Sequence, residues 1–412
     1  MSAKGRVGNL LDGLVPRGFD VRLRTLTIVL FLNEFGRSLV IVFLPLYYLA
    51  LGASPFVIGL AITISAGTSA LFQVIGGMLS DSWGRRRSML LSTLGRVVTI
   101  AILSVFATVV PAFIAIFVLI TVSEALNGIF YTSASAMISD LVEAKRRVEG
   151  FGIYRVATNF GFTLGSLFGG LLAVYALGMY AWTFLVVLNL VILILFVGET
   201  HARERIVFRL GHVISASRDR LLLTFSLASV GAGLVANQMG PTFALYTTQS
   251  IGISKQDLGY LYFLNGVLVI MFQYGFSRLA LRHRLISLIA ISVVVQSASY
   301  LLLSFSPNLL LLQVVIVGLT IGEMLQAPSG TAFATAIAPD ERRGEYIGFY
   351  SWGWNSGQAL SPIVGGLLLS LFAGSQYLTW YVIPMIGAVC AVAYVMIGIK
   401  ARALKPALAN VL

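Results

Sequence analysis

Residues Gly77 to Arg87 read GMLSDSWGRRR, a short hydrophilic turn between an apolar run at 55–79 and another at 89–110. Gly77 is small enough to let two helices approach closely in lipid. Asp81, just past the end of its own helix, opposes that helix's dipole. It is expected to dock near the N-terminus of a neighbouring helix. Gly84 permits the chain reversal, and Arg85, Arg86 and Arg87 hold the turn on the cytoplasmic side.

The runs around this turn set the class. Of 412 residues, 58% are hydrophobic and 11% charged, with a mean hydropathy of +0.91. Soluble domains carry about 25% charged residues, so the chain reads as an all-α integral membrane protein. The net charge of +12 is spread among short loops rather than gathered in one patch, which argues against a nucleic-acid partner. One cysteine, Cys390, forms no intrachain disulfide and no metal site. The first 24 residues are polar and basic and the next run is long enough to span, so no cleavable signal peptide is expected.

Segments able to cross about 30 Å of hydrocarbon fall at 25–50, 55–79, 89–110, 112–139, 150–175, 181–199, 221–249, 254–277, 285–305, 309–337, 346–372 and 377–399. Basic residues concentrate in both tails and in alternate loops, which puts both termini in the cytoplasm of a cell-membrane protein. The opposite loops carry only Lys255. The polar stretch 201–220 divides a first six-helix bundle (1–200) from a second (221–412). These halves repeat. KRRVEGFGIYRVATNFGFTLGSLFGGLL from Lys145 matches ERRGEYIGFYSWGWNSGQALSPIVGGLL from Glu341 at 12 of 28 positions without a gap. Two pseudo-symmetric bundles are a known transporter device.

The Gly77–Arg87 stretch resembles the loop between helices two and three of the major facilitator superfamily, roughly G-x-L-x-D-R-x-G-R-R/K. Gly77, Leu79, Asp81, Gly84, Arg85 and Arg86 fit, and Ser82 replaces an arginine. The run from Gly318 to Tyr350 resembles helices ten and eleven of bacterial drug:proton antiporters of that superfamily. GFTLGSLFGG from Gly161 keeps every glycine of their fifth-helix pattern, with Ser166 in place of proline; the eleventh-helix copy keeps Pro362. The resemblance implies twelve helices, alternating access and a conformational latch made of Gly77, Asp81, Gly84, Arg85 and Arg86 with Asp140 and Arg155.

Three carboxylates, Glu34, Glu124 and Glu323, lie well inside the segments, roughly 13–23 Å from where each helix begins. An intramembrane charge is costly and by default functional. Arg37 follows Glu34 at i+3, on the same face, as a candidate neutralising partner. Glu124 and Asn127 stand where proton-coupled relatives carry R-x-x-Q-G. Glu323 has no basic neighbour in its helix and is the first expectation for proton coupling, ahead of Glu34 and Glu124. Candidate cavity residues are Asn33, Asn127, Tyr131, Asn159, Asn237, Gln238, Asn265, Gln326, Trp352, Trp354, Asn355 and Gln358. Pockets use few precisely placed polar groups, so at least half of these are expected to be packing residues. Tyr346, Phe349 and Tyr350 are expected to face lipid at the interface.

No G-x-x-x-x-G-K-S/T phosphate loop is present, so no ATPase is indicated. His201, His212 and His283 show no ligand spacing. The expectation is a monomeric secondary transporter without cofactor or metal and not an enzyme, exporting lipophilic or cationic small molecules against protons. The competing readings are uptake or facilitated diffusion of a sugar or small organic acid, and a non-transporting scaffold. An anion importer should need basic residues at the midplane, where only Arg37 qualifies. A scaffold would not need three intramembrane carboxylates.

Overall fold

The computed structural model describes residues 20–143, 146–172, 175–200, 216–280, 282–305 and 308–404. Most of the 201–220 loop and both chain ends lie outside the described residues. The described chain is helical, with α1 Val21–Ile41, α2 Pro55–Trp83, α3 Arg85–Val109, α4 Phe113–Leu141, α5 Arg147–Leu172, α6 Tyr175–Phe196, α7 Arg220–Ala236, α8 Lys255–Ala280, α9 Leu285–Leu302, α10 Leu309–Ile337, α11 Arg343–Leu371 and α12 Thr379–Leu404. Short helices Leu44–Ala50 and Pro241–Tyr246 extend α1 and α7. Ten of these spans are long and apolar enough to cross a membrane. The two that fall short, α5 and α11, are the repeat copies rich in glycine and polar residues.

Local chemistry sets the ends. Asp20 accepts the Arg22 N–H at 2.8 Å to open α1, and Asp219 accepts the Leu221 N–H at 2.8 Å to open α7. Gly52 and Gly252 close the first helical segment of each half at φ 84° and 82°, a left-handed backbone that glycine adopts without a Cβ penalty. Gly84 makes the turn into α3 at φ 98°.

By contact the chain divides into two compact units, Met1–Gly52 with Ile64–Ile206, and Ala53–Thr63 with Val207–Leu412. The start of α2 thus groups with the second unit. In the first unit α1 packs on α5 and α6, and α3 on α4 and α6. In the second, α7 packs on α11 and α12, and α9 on α10 and α12. The sequence repeat is therefore a repeat of packing. Its physical basis is a stripe of small residues. A Cβ at Gly161, Gly165 or Gly169 of α5 would collide with α1, and one at Gly353 or Gly357 of α11 with α7. Glycines four apart let these backbones touch. The other faces carry exposed Leu71, Val74, Val389 and Val392, which suits a lipid solvent.

Prolines inside α10 and α11 each free a carbonyl, because proline has no N–H to bond four residues back. Gln273 donates to the Met324 oxygen below Pro328 at 3.3 Å, and Asn237 donates to the Gln358 oxygen below Pro362 at 2.9 Å. Tyr346, Phe349 and Tyr350 do not face lipid. All three are buried, because α11 turns this face inward: Tyr350 stacks on Phe225 at 5.1 Å and Tyr346 donates to Asp219 at 2.8 Å.

Candidate functional site

The first unit holds a charge cluster in its interior, where α1 meets α4. Glu34 and Arg37 lie one turn apart on α1, and Glu124 faces them from α4. The Arg37 guanidinium donates from Nε to both Glu124 oxygens at 2.9 and 3.2 Å, and from a terminal nitrogen to Glu124 at 3.0 Å. Its other terminal nitrogen donates to Glu34 at 3.0 Å. The second Glu34 oxygen accepts the Tyr131 hydroxyl. Arg37 therefore bridges both carboxylates rather than neutralising Glu34 alone. Glu34 and Glu124 are buried, while a quarter of the Arg37 side chain is exposed. The α5 stripe sets this arrangement, since Gly161 packs against the Glu34 Cβ and the neighbouring α1 backbone.

Behind the pair runs a second chain of polar contacts. Asn33 donates to Asn127 at 3.2 Å and accepts from Arg96 of α3. Asn33 and Asn127, both buried, thus join helices rather than line an open surface. Arg96 is 0% exposed and was missed as a site residue. The helix that carries it, α3, begins at Arg85, so Arg96 lies three turns inside.

In the second unit Asn265 of α8 donates to Thr320 at 2.9 Å and to Glu323 of α10 at 3.3 Å. Glu323 is exposed, not buried. Its side of α10 is not covered, whereas Glu34 and Glu124 are buried. Among the remaining cavity candidates, Asn237 serves the α11 kink and Gln238 donates to the Ser361 carbonyl at 3.2 Å. Gln326 accepts from Ser292 at 2.6 Å. Asn159, Trp352 and Asn355 are exposed, and Trp354 and Gln358 half-buried.

The turn between Gly77 and Arg87 forms a second cluster. Asp81 lies in the last turn of α2, not past its end, and its partner is Arg85, one turn on. Arg85 also donates to Ser80 at 3.1 Å and to Asp140 of α4 at 3.2 Å, and Asp140 accepts from Thr200 at 3.0 Å. Arg155, expected beside Asp140, is exposed, and Arg85 fills that place because it starts the adjacent helix. Glu199 accepts the Arg86 backbone N–H at 3.0 Å, a carboxylate on the positive end of α3. The close approach beside the turn is made by Gly76 on Ile129, while Gly77 has only an ordinary contact with Thr132 at 3.6 Å.

A family profile described as Major Facilitator Superfamily matches residues 26–322 and 221–409. An uncharacterized MFS-type transporter of Bacillus subtilis, YttB, is 29% identical over 362 residues, covering 84% of this chain and 88% of that one. A multi-drug resistance efflux pump of Streptococcus pneumoniae, PmrA, is 28% identical over 256 residues, 58% of this chain and 60% of that one. The crystal structure of nucleoside transporter NupG superposes with a TM-score of 0.78 at 16% identity, over 92% of this chain and 99% of that one. The likeness to NupG is one of fold.

Proposed function

The chain belongs to the major facilitator superfamily, and we propose on that premise that it exports lipophilic or cationic small molecules in exchange for protons. The observation that carries this reading is the buried pair Glu34 and Glu124 held by one guanidinium. A carboxylate inside the membrane either carries its charge against a partner or takes up a proton. Protonating one member releases part of Arg37 and leaves the cluster with an extra positive charge. Proton loading and cation binding then oppose each other, as exchange requires. The likeness to PmrA, a multi-drug efflux pump, supports export. Exposed Glu323 beside Asn265 is the group a cationic substrate would meet.

Alternating access needs two states that ligands favour differently. Arg85 between Asp81 and Asp140, with Arg86 on Glu199, is the proposed latch, tying α2, α3 and α4 at one end of the first unit. The protein would act as a monomer in the cell membrane with both termini cytoplasmic. The test is accumulation in proteoliposomes. An acid lumen should drive uptake of ethidium, abolished when the pH gradient is collapsed, and should not drive glucose or lactate. Accumulation of glucose or lactate driven by an alkaline lumen would instead establish proton-coupled uptake and overturn the exporter reading.

A further inference from the structure

We propose that Arg96 is the second cation of the carboxylate cluster, acting through its charge to set when Glu34 and Glu124 take up a proton. This rests on reading that cluster as the coupling site. Arg96 is 0% exposed, and among the described residues its side chain donates only to Asn33, an uncharged side chain. Its Nε and second terminal nitrogen have no hydrogen-bond partner among the described residues. A guanidinium offers five donors, and a buried cation without paired charge is strongly unfavourable. Packing does not offset this. The Trp182 ring lies 6.0 Å from the Arg96 carbon, at the limit of a cation–π contact.

The nearby carboxylates counter part of that cost. Arg96 lies within electrostatic reach of Glu124, Tyr131, Arg37 and Glu34. Asn33 is next to Glu34 in sequence, and Asn127 is one turn from Glu124, so the Arg96–Asn33–Asn127 chain runs directly behind the pair. The facing groups are Glu34 and Arg37 from α1, Tyr48 from the short helix Leu44–Ala50, Glu124 and Tyr131 from α4, and Tyr154 from α5. Helix α6 supplies Trp182 and Asn189 and has no charged residue. Two carboxylates then balance two guanidinium groups. Each proton that arrives removes part of what holds Arg96. Arg96 therefore opposes loading and returns the site to its ionised form after release. It is a positioning residue that touches neither proton nor substrate.

The test is an infrared titration of the carboxyl groups in the purified full chain, with Glu34→Gln and Glu124→Gln assigning the bands. Arg96→Gln should move the assigned midpoint to higher pH by at least about one unit, the effect of one charge at intermediate dielectric. Arg96→Lys, which keeps the charge, should hold the wild-type midpoint. An unmoved midpoint in Arg96→Gln overturns the proposal whatever transport does. A moved midpoint in a protein that shows no proton-driven flux sustains it and counts against the exporter reading instead. Should Arg96→Gln fail to fold, adding Glu124→Gln removes one charge of each sign and should restore folding. A double variant that still fails assigns Arg96 to packing and overturns the proposal.

Discussion

Replacing Arg37 by methionine keeps most of the stem and removes the group that bridges Glu34 and Glu124. Four hydrogen bonds of 2.9 to 3.2 Å are lost. Removing one partner of a buried pair costs about 3–5 kcal/mol, because the other charge is left uncompensated. A quarter of the Arg37 side chain is exposed, so the low end applies, about 3 kcal/mol. That corresponds to a fall in melting temperature of roughly 6–12 °C for a unit of this size. Circular dichroism of the purified protein reads it. Adding Glu124→Gln should recover at least half of the loss. A deficit below about 0.5 kcal/mol would show that the bridge carries no such energy.

Five further substitutions test the packing stripe, the α11 kink and the latch. Gly165→Leu should prevent α1 and α5 from meeting and abolish folded protein in size-exclusion chromatography, whereas Gly152→Ala, with nothing within 4 Å of the new methyl, should be silent. Asn237→Leu leaves the Gln358 carbonyl below Pro362 without its donor and should cost about 1–3 kcal/mol, read by thermal unfolding. Asp140→Asn should shift distances between spin labels on the loops at the Gly84 end of the first unit more than Asp81→Asn does, because the Asp140 side chain is 9% exposed and that of Asp81 48%; no shift in Asp140→Asn would remove Asp140 from the latch.

The helices and the repeat were legible because length, hydropathy and loop charge act over whole segments. Glu34 and Glu124 stood out because carboxylates are rare in lipid. The depth of Arg96 was hidden, since α3 starts within the arginine run rather than after it. The faces of Glu323, Tyr346, Phe349 and Tyr350 were also hidden. Helices apolar on all sides give no periodicity that tells a packed face from an open one. Asn237 looked like a cavity residue because its partner is a carbonyl freed by a proline more than a hundred positions away.

The central claim is that protons and a cationic solute move in opposite directions through coupling at Glu34 and Glu124. It is tested most directly by proton movement caused by the solute itself. With no pH gradient imposed, an inward ethidium gradient across wild-type proteoliposomes should acidify the outer medium, and Glu34→Gln with Glu124→Gln should abolish this while ethidium still binds. Ethidium entry with no proton signal, or an unchanged signal in the double variant, would contradict the account.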